Sequence, residues 1–270
     1  MSKINNLLIE KTKEIVMFNS DGSARWSAQD VSAPKISVTS EAQEKLDAMQ
    51  NVISKLFRGK KADIEFTTAF FSLDIQAAQS GTTVNEFSET NPVVVPWRDE
   101  VKVGGTASAP SATITLTHVP VGTVGSEVTH IYIKNIDNSL GKKFSVGAEA
   151  DADHFTVSAS TKTITLPVGA DIKDTDTVVV YYDYSATAGA SVTNTSTSDS
   201  EAGRLCLFVQ FKDICNEEIK YSGVIEFPSA QVAPDCEIGL AFDDTYTIQL
   251  SANKKYCSSA DELFTTYIPE

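Results

Sequence analysis

The chain has 270 residues, of which 41% are hydrophobic and 21% charged, enough for an ordinary core that needs no disulfide or metal staple. Its net charge of −14, from 36 acidic against 22 basic residues, repels phosphate backbones and argues against a nucleic-acid binder built on Lys and Arg contacts. No run of about 18 apolar residues is present, and the first residues carry only Leu7-Leu8-Ile9, so the expectation is a cytosolic product outside the membrane.

In chain order, residues 14–28 read as a hairpin, with Val16-Met17-Phe18 and Ala24-Arg25-Trp26 flanking a turn at Asp21-Gly22. A helix is expected next, opening at Ser40 with Gln43 in capping-box spacing and stopping at Gly59. Its stripe of Leu46, Met49, Ile53, Leu56 and Phe57 recurs at three and four and should pack on the chain's own sheet. The basic cluster Lys55, Arg58, Lys60 and Lys61 would then complement the C-terminal dipole of that helix. Residues 62–71 alternate as a strand through Ile64, Phe66 and Phe70, and Phe71 to Ser80 changes to the period of a short helix that stops at Gly81. Pro92 and Pro96 bracket Val93-Val94-Val95, which marks an edge strand or an extended crossing.

From Gly104 the composition turns to Thr, Val, Ser and Gly. Short strands are expected at 113–117, 128–134, 154–157, 161–166 and 177–184, the spacing of a small immunoglobulin-like sandwich. Residues 186–203, rich in Ser, Thr and Ala, read as a linker. Strands resume at 204–211, 221–227, 237–242 and 245–250. The fold class expected is mainly β with one or two helices. Residues 1–100 and 200–270 would form one discontinuous core domain, and residues 104–185 would be inserted into it.

The chemistry is sparse. His118, His130 and His154 are the three histidines, and His130 lies in a strand alternation, as structural histidines do, without an orienting partner. No nucleophile elbow, zinc helix motif, phosphate loop or dinucleotide fingerprint occurs. The acidic groups at Asp171, Asp174 and Asp176, at Asp151 and Asp153, and at Asp243 and Asp244 have the placement of turn residues and lack the Gly and distal Glu of a calcium loop. Cys206, Cys215, Cys236 and Cys257 lie too far apart for paired zinc ligands, and Cys206 sits in a buried apolar run. No catalytic, cofactor-binding or metal-ligating residue is assigned, no cofactor is expected, and the chain reads as a non-enzyme.

Two stretches carry a resemblance: Lys61-Ala62-Asp63-Ile64-Glu65-Phe66-Thr67-Thr68-Ala69-Phe70-Phe71-Ser72-Leu73-Asp74-Ile75-Gln76-Ala77-Ala78-Gln79-Ser80-Gly81, and the acidic strands from Arg204 onward. They resemble major tail (tail-tube) proteins of tailed bacteriophages. The middle segment, with Gly141-Lys142-Lys143-Phe144 and Val178-Val179-Val180-Tyr181-Tyr182-Asp183-Tyr184, is similar to the immunoglobulin-like decorations that virion proteins carry. The resemblance implies a virion structural protein whose partner is itself. Its sheets would join those of neighbours into hexameric rings stacked around a channel through which DNA passes without specific binding, with other tail proteins or a sheath as further partners. An acidic inner wall would suit that passage, the insertion would sit outside the tube, and the N-terminal hairpin and the loops beside the helix would make inter-ring contacts. Alternatives from other classes are a capsid decoration protein, a carbohydrate-binding or adhesion module, for which Trp26 and Trp97 fall outside the insertion, and a hydrolase using an unseen carboxylate pair.

Overall fold

In the computed structural model, residues 7–269 are described except 107, 170–171, 217, 235–240, 242–243, 253 and 255–261. The chain is mainly β with one α-helix among the described residues. It divides into two compact units, Met1–Asn85 with Ser191–Glu270, and Glu86–Ala190.

The first unit opens with β1 (Leu7–Phe18), β2 (Ala24–Ala28), β3 (Ser32–Leu46), β4 (Val52–Thr68) and helix α1 (Leu73–Gln79). The second unit contains β5 (Val93–Lys102), β6 (Thr113–Thr115), β7 (His130–Lys134), β8 (Leu140–Val146), β9 (His154–Ser158), β10 (Thr163–Thr165) and β11 (Thr177–Ala186). The chain then returns to the first unit as β12 (Ala202–Asp213), β13 (Lys220–Val232), β14 (Tyr246–Ala252) and β15 (Thr265–Tyr267). The stretch 186–203 read as a linker contains the end of β11, a short strand at Gly189–Ser191 and the start of β12, and Ser200 is buried. The strand expected at 237–242 and the residues Asp171, Cys236, Asp243 and Cys257 lie outside the described residues.

In the first unit the sheet order is β2-β1-β12-β13-β14-β4-β3, with β15 added beside β13, and every pairing among its described residues is antiparallel. Period-two alternation builds its core. Leu205, Leu207 and Val209 of β12 share the buried cluster with Ile64 and Phe66 of β4, Ile248 and Leu250 of β14, and Phe227 of β13. Helix α1 closes onto this cluster through Ile75 and Ala78, and Ser72 caps it by accepting a 3.4 Å bond from the Ile75 amide.

The second unit has its own core of Val128, Ile131, Phe144, Phe155, Ile164, Val178 and Val180. Its strand path is Pro120–Val121, β11, β7, β8, β9, β10, β6, with β5 on the other side of β11 and the β8–β9 pairing parallel. Trp97 sits on β5 and therefore belongs to this unit.

The helix expected at 40–59 is absent. Those residues form the outer halves of β3 and β4, paired from Thr39↔Lys61 out to Leu46↔Val52. Their composition, Glu41-Ala42-Gln43-Glu44-Lys45-Leu46, favours helix locally, but β4 continues a core strand, β3 pairs along it, and the ladder overrides propensity. Two register shifts lie in the arm. β4 carries an extra residue between the Thr39 and Glu41 pairings, where Gly59 adopts φ +63°, and another near Ile53. The apolar stripe Leu46 to Phe57 runs from the end of β3 through the turn into β4 and crosses only the shift near Ile53, so its spacing of three and four does not record the period of one strand. Gly59 does stand where a left-handed residue is required, but at a bulge rather than a helix end.

Candidate assembly surface

The outer hairpin, residues 39–61, projects as an arm of about 25 Å at the ordinary strand rise. Its turn is built by Asp47. The Asp47 Oδ1 accepts from the amides of Met49 and Asn51, both at 2.8 Å, and Oδ2 accepts from the Asn51 side chain at 3.2 Å. Gln50 takes φ +65° and its amide bonds back to the Asp47 carbonyl at 3.1 Å. The Asn51 amide, then its side chain, hold the Asp47 carboxyl below its usual range.

The described residues of the chain leave the arm uncovered, contrary to the expected stripe on the sheet. Leu46, Met49, Val52, Ile53, Leu56 and Phe57 are all exposed, Met49 at 83%, whereas Ile64 and Phe66 farther along β4 are at 1% and 0%. Apolar side chains occupy both faces: Phe57 stands opposite Ala42 and Leu56 opposite Gln43. Residues 39–61 are also the basic part of an acidic chain, with five basic against three acidic residues. Lys55 pairs with Glu44 at 2.8 Å across the ladder.

The far end of β4 carries a second apolar feature. Thr68, Phe70, Phe71 and Ile75, with Tyr246 of β14, line a shallow cleft of about 20 Å³. Phe70 is 70% and Phe71 49% exposed, and the Phe71 and Tyr246 rings lie 5.5 Å apart. Asp30, whose Oδ2 accepts from the Ala69 amide at 3.3 Å, and the exposed Asp74 of α1 place acid beside it. The sheet of this unit also ends on β3 at one side and on the short β2 at the other.

The residues singled out as possible chemistry fall elsewhere and do not converge. His118 stacks on Tyr184 at 4.0 Å with Trp97 edge-on to both. His130 meets Ser145 Oγ at 3.5 Å, and His154 Nδ1 lies 2.8 Å from Asp151 Oδ1 in an exposed turn. Asp176 and Asp244 accept from the amides of Lys173 and Ala241, as turn aspartates do. Cys206 is buried, and burial pushes its thiol up, while Cys215 is exposed.

The polar centre of the second unit is Asp99, which no sequence pattern marks. Asp99 is 7% exposed, and its carboxylate accepts from the Thr117 amide (2.7 Å), Thr117 Oγ1 (2.8 Å), Tyr182 OH (2.8 Å) and Trp97 Nε1 (3.0 Å). Burial raises its pKa, but these bonds outweigh burial and hold it below 3.8. With every lone-pair direction engaged, Asp99 is a structural tie between β5, β11 and the segment after β6 rather than a free base.

The arm escapes sequence reasoning because helix-forming residues, the turn at 47–51 and the bulge near Ile53 hide its strand period. The Asp47 to Asn51 turn between two runs, the second of which continues into the core alternation of Ile64 and Phe66, is the signal that could have found it. A search of curated proteins finds no match to the chain. A family model described as the YomU/Tube protein family matches residues 7–259, which includes the arm, the whole second unit and the first unit as far as β14. On that match the chain belongs to the YomU/Tube protein family, which is phage-derived.

Proposed function

We infer that the protein is a tail-tube subunit, a virion structural protein that assembles with copies of itself into stacked, hexameric rings around a DNA channel. The observation that carries this reading is the arm. A two-stranded hairpin standing alone is marginal in water, and an exposed apolar ladder is an aggregation liability in a monomer, so its covered state is an assembled one. Family membership supports a phage-associated structural protein, and the long unpaired edge of β3 gives neighbouring sheets a place to join.

In this reading the chain performs no catalysis. The second unit is an immunoglobulin-like decoration on the outside of the tube, other tail proteins or a sheath are further partners, and the acidic balance keeps DNA from adhering to the channel. Negative-stain electron microscopy of the purified full chain over a concentration series tests it. Rings or tubes with an open centre are expected; a monomer persisting at the highest concentration would refute the reading.

A further inference from the structure

We propose that the second unit carries a binding site for an acidic glycan, a chain of pyranose rings bearing carboxylates, in the groove beside His118, Tyr184 and Lys162. The inference stands on the residues of that unit alone and goes beyond the tail-tube reading, which assigns this surface no ligand.

The site begins with strand alternation. Tyr182 and Tyr184 share one face of β11, and Asp183 between them lies on the other. Tyr182 is buried, whereas Tyr184, nearer the end of the strand, is half-buried and stacks on His118 at 4.0 Å. The buried polar centre holds these rings in place. Asp99 accepts from Trp97 Nε1 at 3.0 Å, Tyr182 OH accepts from the His118 amide at 3.0 Å, and the Trp97 ring stands edge-on, 5.0 Å from His118 and 5.6 Å from Tyr184. A buried carboxylate thus fixes rings that reach solvent, Trp97 at 39% exposure, and a platform ordered in advance loses little entropy on binding. Expected boundaries alone set Trp97 outside the insertion and against a carbohydrate module; its place on β5 removes that objection.

Three features of the groove select its occupant. The first is size: about 430 Å³ lies within the range of roughly 300–1,000 Å³ for small-ligand sites. The second is surface. The His118 and Tyr184 rings and Val121 offer apolar area, and Ser185 and Thr187 supply hydroxyls beside it. The slightly positive C–H groups of a pyranose face suit the negative face of an aromatic ring, and its hydroxyls suit the polar rim. The third is charge. Lys162 lines the groove with no ion-pair partner among the described residues, and its Nζ gives one of three donors to the Thr117 carbonyl at 3.3 Å. Among the described residues no Asp or Glu lines the groove, although the second unit has 13 acidic against seven basic residues. The hydroxyls of a neutral sugar are donors well met by carboxylates, which this lining lacks. A carboxylated sugar brings its own acceptor to the lysine. The acids elsewhere in the unit act through a screening length of about 8 Å at physiological salt, which limits their repulsion.

The test passes the full-length chain over immobilised polygalacturonate, hyaluronate and polysialate, with dextran as the neutral-sugar probe and polyglutamate as the acidic-peptide probe, at about 0.15 M salt. Retention on at least one acidic glycan and on neither of the other two polymers is expected. A chain of net charge −14 is not held on a polyanion by overall charge, so retention reports a local site. Lys162→Gln should weaken binding about tenfold or more through loss of one charge-assisted contact. Tyr184→Ala should abolish binding, and Tyr184→Phe, which keeps the ring, should retain it. Melting curves verify folding, and Lys162→Gln keeps the test decisive if Tyr184→Ala unfolds. No retention on any of the three acidic glycans overturns the proposal, as does binding unchanged by Lys162→Gln. Equal retention on dextran would leave the lysine without a role, and equal retention on polyglutamate would mean charge without a sugar; either overturns it. None of these outcomes bears on the tail-tube reading, which electron microscopy tests separately.

Discussion

At the residue scale, Asp99 is the position where charge and stability are most tightly coupled. Burial disfavours its ionised form, yet bonds from Thr117, Tyr182 and Trp97 lower its pKa below 3.8, so the folded state prefers the carboxylate more than the unfolded chain does. A depressed folded pKa means that its contribution is present above the unfolded value and is lost as pH falls through the folded one. Thermal melts should therefore show the second unit weakening at pH values below about 3.8, the ordinary carboxylate value. An Asp99→Ala variant should abolish that part of the pH dependence and cost roughly 2–4 kcal/mol, since it orphans several donors around one buried site. Tyr182→Phe is the gentler control. It removes one donor to Asp99 and the acceptor for the His118 amide at 3.0 Å, for about 1–2 kcal/mol.

At the element scale, the departures from regular strand geometry are what give the first unit its surfaces. Gly59 has open space where a Cβ would point but sits at φ +63°, so Gly59→Val meets a backbone penalty rather than a clash. It should cost about 1–2 kcal/mol in the arm and redirect it, read as reduced assembly with an unchanged melting curve for the body. Gly223 is the opposite case. A Cβ there would stand 2.5 Å from the Phe211 ring and 2.7 Å from the Tyr267 carbonyl, so Gly223→Ala should detach β15 from β13 and cost roughly 1–3 kcal/mol, visible as faster amide exchange at Thr265 to Tyr267. These positions also show why the sequence is legible in some places and opaque in others. Strands such as β12 and β11 carry short runs of large apolar residues against a core, and α1 changes period cleanly after Phe71, so both are readable. The arm has no core to enforce alternation and is bulged twice, so local propensity speaks for a helix while pairing with the continued core strand decides for β. Asp99 is unreadable for a different reason: its partners at Thr117 and Tyr182 come from distant parts of the chain, and only the fold brings them together.

At the scale of the whole molecule, the proposed function makes folding and assembly depend on separable parts of the same chain. The buried cluster of the first unit draws on β1, β2, the inner half of β4, α1 and β12 to β14, and among the described residues none of its members lies between 39 and 61. Each large apolar side chain of the arm is worth roughly 1.5–3 kcal/mol when fully buried, as an upper bound before the ordering costs of association are deducted. That stabilisation is available only when the arm is covered, and in the proposed function the cover is another copy. Replacing residues 41–58 by a two-residue Asn-Gly turn should therefore leave far-UV circular dichroism of the body and its melting temperature nearly unchanged, within the few degrees expected of a surface change, while removing rings and tubes altogether. The opposite pattern, a chain that unfolds on losing the arm or still assembles without it, would mean that the arm belongs to the fold of the monomer after all, and that the joints between copies lie along the sheet edges alone. Salt separates the contributions within the arm itself. If its basic residues orient the contact and its apolar residues hold it, raising ionic strength from about 0.1 M to 1 M, which shortens the screening length from about 10 to 3 Å, should slow assembly without dissolving tubes already formed.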